Sequence, residues 1–294
     1  MAILINGNLI SAQVNEETRQ EVASITSKGL PPPCLAVILV GDNPASQVYV
    51  SKKMKKCEEL GIISKQVLLP HSTSEEELLH IIEQLNQDDA IHGILVQSPV
   101  PKHIDEQKII MRISPQKDVD CFHPMNTGLM LNGKFDGFLP CTPWGIITLL
   151  RKSSIQTSGK HAVILGRSNI VGKPMAVMLS SNMDFGNATV TICHSKTPNL
   201  SDITRSADII VVAMGKPEFL TGEMVSDGVV VIDVGINRIP DSSKKTGFRL
   251  VGDVEFDSVE KKASYITPVP GGVGPMTIAM LMKNTIRAYY MRTK

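Results

Sequence analysis

Runs of apolar residues alternate with helical patterns over the first half of the chain. Short apolar runs at 34–41, 66–70 and 93–97 are separated by segments, at about 44–60 and 75–85, whose apolar residues recur every three or four positions. Short apolar runs are typical of buried strands and the longer spacing is typical of helices, so the pattern predicts β-α-β-α-β. Strands that lack polar alternation are expected to be buried on both faces of a parallel sheet, with ligands at the carboxyl ends of the strands.

The second half has the same architecture without repeating the sequence. Strands are predicted at 161–166, 188–193, 207–215 and 229–235, with a helix from about Val171. This order of elements is typical of a dinucleotide-binding domain.

The two halves are predicted to be separate domains of an α/β fold. A loop-rich stretch at 114–143 lies between them, and a helical pattern follows it. We place the boundary near Trp144, which gives an amino-terminal α/β domain at 1–143 and a Rossmann-like domain at 144–276, flanking a cleft. A periodic helix at 277–294 is expected to pack back on the first domain.

Composition and charge narrow the class of partner. The 294 residues are 42% hydrophobic and 20% charged, as in ordinary globular proteins. A net charge of +1 gives no strong field to attract nucleic acid or an anionic membrane, so a small-molecule partner is favoured.

Cysteine and histidine usage bears on location and on metal binding. The five cysteines are scattered, without a C-x-x-C pair, and neither a leader nor a membrane-spanning run is visible. These features predict a reducing compartment and therefore the cytoplasm. The histidine spacing resembles no metal site, so no metal is predicted.

A glycine-containing turn follows the first strand of the second half. Gly166, Arg167 and Ser168 lead into a helix, the position where a pyrophosphate binds. The usual G-x-G-x-x-G is imperfect, because Ser168 and Val171 stand at the second and third glycine positions and Gly172 comes one residue later. The turn indicates a dinucleotide site, and a simple strand-to-helix turn is the alternative.

The end of the next strand distinguishes the two nicotinamide dinucleotides. An NAD enzyme normally has Asp or Glu there, whereas this chain has His194, Ser195 and Lys196. With Arg167, these residues offer donors and positive charge to a 2′-phosphate, so NADP is preferred over NAD. For each residue taken alone, a solvated loop position is an equal alternative.

Three polar residues share one face of the first predicted helix of the 34–97 region. Ser46, Tyr49 and Lys53 are separated by three and four positions. A neighbouring apolar stripe is expected to face the core, which puts Tyr49 and Lys53 at the edge of burial, where a desolvated lysine becomes a usable acid or base. A solvated basic face is the alternative, because the helix carries three further lysines.

Two loops and one strand end supply further candidates. Gln97 precedes a proline-rich exit that should present its amide at the carboxyl edge of the sheet, unless the amide caps the loop. Asp118 and Asp120 either anchor an aminopyrimidine-like ring through paired donors or cap a turn. The prolines and glycines of 267–275 predict a rigid segment that ligands can approach closely, or a turn that leads into a helix.

Six segments of the chain, taken in order, resemble the bifunctional methylenetetrahydrofolate dehydrogenase and methenyltetrahydrofolate cyclohydrolase family. They are Y-V-S-K-K-M-K-K-C-E-E-L-G-I, G-I-L-V-Q-S-P-V-P, P-Q-K-D-V-D, G-R-S-N-I-V-G-K-P, V-I-D-V-G-I-N and T-P-V-P-G-G-V-G-P-M-T. The resemblance covers nearly the whole chain. It implies NADP-dependent oxidation of 5,10-methylenetetrahydrofolate to the 5,10-methenyl compound and hydrolysis of that compound to 10-formyltetrahydrofolate.

The resemblance also implies tetrahydrofolate one-carbon derivatives as partners and a homodimer formed through the cofactor domains. A dehydrogenase with weak cyclohydrolase activity, or with a different pterin carrier, is an alternative. A non-catalytic NADP-binding sensor is another, although the retention of four chemical positions speaks against it.

By position, the resemblance assigns roles to individual residues. Lys53 matches the family's proton-transfer lysine and Gln97 its partner, while Tyr49 would stack on the aminobenzoyl ring and Asp120 would anchor the pterin. Further substrate-binding positions are Ser46, Val96, Ser98, Pro270, Gly271, Gly272, Val273 and Gly274, and the cofactor-binding positions are Gly166, Arg167, Ser168, Ser195 and Ile236.

Two residues depart from the family's usual pattern. Cys121 stands where glycine usually follows K-D-V-D, and Ser98 stands where a larger apolar residue usually follows the glutamine. If the backbone at Cys121 has a positive φ, a side chain there is strained and would shift Asp120. Such a shift would alter substrate affinity and the balance of the two activities.

Overall fold

The computed structural model describes residues 1–244 and 247–292. The strands are β1 (Ile3–Leu4), β2 (Cys34–Val40), β3 (Ile63–Leu69), β4 (Gly93–Val96), β5 (His161–Leu165), β6 (Thr189–Cys193), β7 (Ile209–Val212), β8 (Val230–Asp233), β9 (Asn237–Pro240), β10 (Phe248–Val251) and β11 (Tyr265–Ile266). The helices are α1 (Gly7–Thr26), α2 (Pro44–Leu60), α3 (Glu75–Gln87), α4 (Glu106–Arg112), α5 (Pro124–Leu131), α6 (Cys141–Lys152), α7 (Gly172–Ser180), α8 (Leu200–Arg205), α9 (Phe256–Val259) and α10 (Val273–Arg292). Positions 293 and 294 of the predicted carboxyl-terminal helix lie outside the described residues.

The chain divides into two compact units, named here by their sheets. The six-stranded unit contains Met1–Ser11 and Thr142–Thr277, and the three-stranded unit contains Ala12–Cys141 and the chain from Ile278 onward. The sequence-based boundaries had placed residues 1–11 in the first domain. In the structure β1 instead pairs in parallel with β11, so the amino terminus extends the six-stranded sheet.

The three-stranded unit contains a parallel sheet in the order β3-β2-β4. Every residue of the central strand β2 is buried, as its unbroken apolar run predicts. The prediction of burial on both faces is wrong for β3, where Ile63 and Leu68 are 50% and 63% exposed. As an edge strand, β3 has neighbours on one side only, which a local apolar pattern does not reveal.

The six-stranded unit contains a parallel sheet in the order β1-β11-β8-β7-β5-β6. Leu165, the last residue of β5, pairs with Cys193 of β6 and with Val212 of β7. The segments that follow these three strands therefore start side by side at one edge of the sheet. This edge is where ligands bind in parallel α/β sheets.

Several helices differ from prediction, and the short helices α4, α8 and α9 were not predicted. The stretch at 114–143 contains α5, whose first residue is Pro124 and whose amino-terminal N–H of Met125 donates to His123 Nδ1 at 3.1 Å. The carboxyl-terminal helix begins at Val273 rather than at 277. Helix α1 was not predicted, because its few buried apolar residues are separated by long polar stretches.

Some classes of site are absent from the part of the chain that the structure describes. No described helix has both the length and the apolar character needed to span a bilayer. The same residues contain no group of three or more His, Cys, Asp or Glu side chains placed to hold a metal ion. All five cysteines are free and buried.

Candidate active site

Helix α2 carries Lys53, and local sequence fixes both ends of this helix. Asn43 Oδ1 accepts hydrogen bonds from the N–H groups of Ala45 and Ser46, and Pro44 fills the first helical position. Gly61 ends the helix in the left-handed conformation with φ 75°. Lys53 is therefore held on a helix with defined ends rather than on a loop.

The three residues of α2 that are predicted to face a ligand differ in their solvent exposure. Ser46 is 4% exposed, Tyr49 is 40% exposed and Lys53 is half-buried. The neighbouring stripe of Val50, Met54 and Cys57 is predicted to face the core, and in the structure Val50 and Cys57 are completely buried and Met54 is half-buried. Tyr49 and Lys53 thus lie at the margin of the core, and Ser46 lies below the surface.

The ammonium group of Lys53 meets the side chain of Gln97. Lys53 Nζ donates to Gln97 Oε1 at 2.9 Å, across 44 positions of sequence. Gln97 follows β4, where its backbone N–H donates to Ile38 O at 2.9 Å, and the preceding Val96 is half-buried at the end of the strand. The two side chains predicted to work together are thus in direct contact.

The amide of Gln97 is oriented by a second hydrogen bond. Its Nε2 donates to Ser98 O at 2.7 Å, which leaves Oε1 to accept from Lys53. The amide therefore both caps the loop, through Nε2, and is presented at the sheet edge, through Oε1. Ser98 Oγ donates to Glu106, so this position makes a polar contact where a larger apolar residue is usual.

Asp118 is the acid that caps the turn. It is 3% exposed and accepts from the N–H groups of Phe122 at 3.1 Å and His123 at 2.9 Å. Asn126 Nδ2 adds a third bond at 2.8 Å. With its carboxylate saturated by donors from within its own loop, Asp118 has little capacity to bind a ligand.

Asp120 has no comparable set of donors. Among the described residues its carboxylate accepts a hydrogen bond only from the thiol of Cys141, at 3.8 Å, and a thiol is a weak donor. Burial raises the pKa of Asp120, and the nearby positive charge of Lys53 opposes that rise. Asp120 is thus a desolvated carboxyl group, close to an ammonium group, that still has acceptor capacity.

Cys121 stands where the family usually has glycine, and its backbone has the positive φ that glycine favours. Its φ is 60°, in the left-handed region, although it carries a side chain. The side chain is completely buried, and its thiol donates to Phe138 O at 3.3 Å. The chain following Asp120 therefore retains a conformation suited to glycine, with a cysteine in place.

Sequence reasoning missed two residues that support the Asp120 loop. Asn284, on α10, donates through Nδ2 to Val119 O at 2.7 Å and to Leu139 O at 2.8 Å. Cys141 donates to the same Val119 carbonyl at 3.5 Å. Neither contact leaves a local sequence pattern, because each joins segments far apart in the chain.

The proline- and glycine-rich segment at 270–274 lies in the six-stranded unit. Gly271 has φ 107°, and a Cβ on Gly7 would come within 1.8 Å of Gly272 O. The N–H of Asn8 donates to Gly271 O at 3.1 Å, so the start of α1 supports this segment. Pro270, Gly271 and Gly272 precede α10, whereas Val273 and Gly274 form its first turn.

The turn after β5 is packed too tightly for side chains. Gly166 has φ 125°, and a Cβ on Gly172 would lie 2.3 Å from Gly166 O. Ser168 Oγ accepts from the N–H groups of Val171 at 3.2 Å and Gly172 at 3.3 Å. Gly172 thus provides the close approach expected of the third glycine, one residue later than in the usual motif, and the serine caps the start of α7.

The residues expected to face a 2′-phosphate are exposed near this turn. Gly166 N donates to Cys193 O at 2.9 Å, which places Arg167 beside the segment that follows β6. Arg167 and Ser195 are exposed, and His194 Nδ1 accepts from Lys196 N at 3.1 Å. The histidine therefore caps its own loop, and no carboxylate occupies positions 194–196.

Ile236 follows β8 at the same edge of the sheet. Its side chain is 48% exposed. A Cβ on Gly274 would lie 3.7 Å from Ile236 Cδ1, an ordinary contact distance. The predicted cofactor position and the 270–274 segment are therefore neighbours within one unit.

Two protein-family models match this chain and together cover most of it. The model described as tetrahydrofolate dehydrogenase/cyclohydrolase, catalytic domain, matches residues 5–120. The model described as the NAD(P)-binding domain of the same enzymes matches residues 140–293.

Similar proteins extend over almost the full length. The bifunctional protein FolD of Campylobacter hominis is 56% identical over 291 residues, which is 99% of this chain and 98% of that protein. The bifunctional protein FolD of Chlorobium phaeobacteroides strain BS1 is 54% identical over 287 residues, which is 97% of this chain and 96% of that protein.

Solved structures of similar proteins have the same fold. The bifunctional methylenetetrahydrofolate dehydrogenase/cyclohydrolase FolD from Campylobacter jejuni is 52% identical, with a TM-score of 0.93 over 99% of this chain and 100% of that one. FolD from Trypanosoma brucei, solved with NADP cofactor and inhibitor, is 39% identical, with a TM-score of 0.93 over 100% of this chain and 99% of that one.

Proposed function

The chain belongs to the tetrahydrofolate dehydrogenase/cyclohydrolase family, and we propose that Lys53, Gln97 and Asp120 carry its chemistry. It is a bifunctional enzyme of one-carbon metabolism. It oxidises 5,10-methylenetetrahydrofolate to 5,10-methenyltetrahydrofolate and hydrolyses that product to 10-formyltetrahydrofolate. Tetrahydrofolate one-carbon derivatives are therefore its substrates.

The cofactor of the oxidation is NADP, which accepts a hydride from the one-carbon unit when bound. The six-stranded unit fits this dinucleotide, because Gly166 and Gly172 let the turn after β5 pack closely against the start of α7, and the N–H groups at a helix start can bind a phosphate. Arg167 and Ser195 are exposed and carry donors suited to the 2′-phosphate. We assign these residues, with Ser168 and Ile236, to cofactor binding.

We assign Lys53 to proton transfer in the hydrolysis. Addition of water to the methenyl carbon requires a group that removes a proton from the water, whereas hydride transfer needs no such group once the reactants are held in position. The observation that carries this assignment is the 2.9 Å hydrogen bond from Lys53 Nζ to Gln97 Oε1. This bond holds the amine in position, and in its neutral form the amine can donate to Gln97 Oε1 while its lone pair takes the proton from the water.

We assign Asp120 to recognition of the pterin. A pterin presents paired N–H donors, and Asp120 has open acceptor capacity in a desolvated place, whereas Asp118 does not. The exposed ring of Tyr49 is available to stack on the aminobenzoyl group. We also assign to substrate binding Ser46, Val96, Ser98 and the segment at 270–274.

The proposal is tested by following both steps with one purified sample. Absorbance-monitored turnover of 5,10-methylenetetrahydrofolate with NADP and with NAD in parallel reports the oxidation. Hydrolysis of added 5,10-methenyltetrahydrofolate reports the second step. NADP-preferring oxidation together with enzymatic hydrolysis supports the proposal, whereas a clear NAD preference overturns the roles of Arg167 and Ser195.

We further propose a cytoplasmic homodimer that binds neither nucleic acid nor membranes. Five free cysteines support a reducing compartment, and the net charge of +1 supports the absence of polyanionic partners.

Strand β6 is an edge of its sheet and carries Ile192 at 39% exposure, so it supports a dimer interface through the cofactor unit. Light scattering of the purified protein, with an Ile192→Lys variant, tests the dimer.

A further inference from the structure

We propose that two buried carboxylates, Asp233 and Asp253, are positioning residues that hold the cofactor-binding loops of the six-stranded unit in place. Nothing in the family match assigns them a role, and neither touches the predicted site directly. The proposal rests on the proposed NADP site. We refer to the pair as the aspartate clasp.

Asp253 fixes the segment that follows β7. The residue has no exposed surface, and its Oδ2 accepts from the N–H groups of Met214 at 2.7 Å and Gly215 at 2.8 Å. Its Oδ1 accepts from Asn237 Nδ2 at 2.8 Å. One carboxylate thus ties the segment after β7 to the start of β9.

Asp233 fixes the segment that follows β8. Its side chain is 3% exposed and accepts from the N–H groups of Gly235 at 2.9 Å, Asp253 at 3.0 Å and Val254 at 3.0 Å. Because one of these donors is the backbone of Asp253, the two carboxylates are linked. Together they join three segments, at 214–215, 233–237 and 252–254.

Two glycines allow the clasp to close. A Cβ on Gly252 would lie 1.7 Å from Asp233 Oδ2, and a Cβ on Gly235 would lie 2.3 Å from Asp253 Oδ1. No side chain fits at either position without displacing a carboxylate. The two loops are therefore shaped around the two acids.

The clasp is connected to both parts of the proposed cofactor site. A Cβ on Gly166 would lie 2.3 Å from Ala213 O, so the phosphate turn rests on the residue before the amides that Asp253 holds. Ile236 lies between Gly235 and Asn237, which are hydrogen-bonded to Asp233 and to Asp253 respectively. A movement of the clasp would therefore reach both the phosphate turn and Ile236.

The hydrogen-bond pattern makes the charged acceptor essential at Asp253. Both N–H donors on Oδ2 come from backbone that cannot reverse its direction, so Asp253→Asn would either place an amide N–H₂ against them or lose the Asn237 bond. Loss of charged hydrogen bonds of this kind is expected to weaken NADP binding about 10- to 100-fold. Hydrolysis needs no NADP, and its proposed proton-transfer pair, Lys53 and Gln97, lies in the other unit, so its rate should fall less than about twofold.

The test measures NADP dissociation constants by titration calorimetry for the wild type, Asp253→Asn and Asp227→Asn. Asp227 is an exposed aspartate of the same unit and serves as the matched control. NADP-free hydrolysis of 5,10-methenyltetrahydrofolate and thermal unfolding are measured on the same samples. Selective loss of NADP affinity in Asp253→Asn supports the clasp.

Two results would overturn the proposal. They are an unchanged NADP dissociation constant in Asp253→Asn, and loss of NADP affinity only in parallel with unfolding and loss of hydrolysis. If Asp253→Asn does not fold, Asn237→Ala removes one donor and keeps both acids, and an NADP affinity equal to that of the wild type then counts against the clasp. Absence of NADP binding in the wild type would instead defeat the proposed function.

Discussion

Asp118 and Asp120 are two positions apart and serve opposite purposes: Asp118 is saturated by donors from its own loop, whereas Asp120 is desolvated with acceptor capacity to spare. One short motif therefore builds its own loop through Asp118 and keeps acceptor capacity at Asp120. This division of roles predicts that the same substitution at the two positions will damage different properties.

Asp118→Asn should lower stability rather than change substrate recognition. The variant places an amide N–H₂ among three donors in a buried site, which we expect to reduce the free energy of unfolding by about 2–4 kcal/mol. Urea unfolding of this variant beside Asp120→Asn is the measurement. Equal unfolding midpoints for the two variants would contradict the division of roles.

Asp120→Asn should raise the KM for 5,10-methylenetetrahydrofolate about 10- to 100-fold, because it replaces one of the two oxygens proposed to accept from the paired pterin donors by an N–H₂ group. Burial raises the pKa of Asp120, so the wild-type carboxyl group becomes protonated at a higher pH than an ordinary aspartate. The kcat/KM for the folate should therefore fall as the pH drops through that raised pKa. A pH profile in the variant that retains this limb would exclude Asp120 as its source.

The left-handed backbone at Cys121 predicts an unusual order of stability. Glycine in place of alanine normally destabilises by about 0.5–1 kcal/mol, but at φ 60° alanine is strained by about 2 kcal/mol and glycine is not. Cys121→Gly should thus be more stable than Cys121→Ala by about 1 kcal/mol, although both lose the buried thiol. Denaturant titration of the pair decides this, and a more stable alanine variant would contradict the strain.

Lys117 should make stability depend on alkaline pH. It is 2% exposed and donates to Leu85 O and Asp88 O at the end of α3, each at 2.8 Å. Burial, and then the charge of Arg292, lower its pKa to about 8, whereas Asp88 and Asp89 oppose this.

The direction of this pH dependence follows from the pKa of Lys117, which is lower in the folded chain than in the unfolded chain. Between about pH 8 and the ordinary value of 10.5, the unfolded chain binds more protons than the folded one, so stability attributable to Lys117 rises with pH. Relative to Lys117→Met, the wild type should gain about 1–2 kcal/mol between about pH 8 and 9.5. The exposed Lys65→Met is the control, and a pH-independent difference would contradict the buried titration.

The dinucleotide preference should respond to a carboxylate after β6. Ser195→Asp would repel the 2′-phosphate of NADP and accept from the ribose hydroxyl of NAD, so the ratio of kcat/KM for NADP to that for NAD should fall at least about 10-fold. Steady-state kinetics with both dinucleotides provide the measurement, with the exposed Ser242→Asp as control. An unchanged ratio would remove Ser195 from the 2′-phosphate site.

Helices and strands that are marked by capping residues, proline, glycine or an unbroken apolar run were predictable from the sequence. Helix α2 is bounded by Asn43, Pro44 and Gly61, and each acts through its own backbone or side chain, so prediction and structure agree at both ends. Strand β2 is similarly clear, because seven apolar residues in a row leave no exposed face. In both cases the determining interactions are short in sequence.

Properties that depend on distant neighbours were not predictable. The exposure of β3 follows from its place at the sheet edge, and the choice between Asp118 and Asp120 follows from donors such as Asn126 that the folded loop supplies. The positive φ of Cys121 was not predictable, because a residue other than glycine gives no local sign of a left-handed backbone. The clasp of Asp233 with Asp253 joins segments twenty positions apart, and no periodic pattern marks it.

Proton transfer by Lys53 in the hydrolysis is tested with Lys53→Met, and the exposed Lys55→Met on the same helix is the matched control. The decisive measurement is the rate of enzymatic hydrolysis of 5,10-methenyltetrahydrofolate, taken beside folate binding to the same samples. We predict that Lys53→Met lowers this rate about 100- to 10,000-fold with folate binding still measurable, while Lys55→Met hydrolyses at the wild-type rate. Wild-type hydrolysis by folded Lys53→Met would contradict the account.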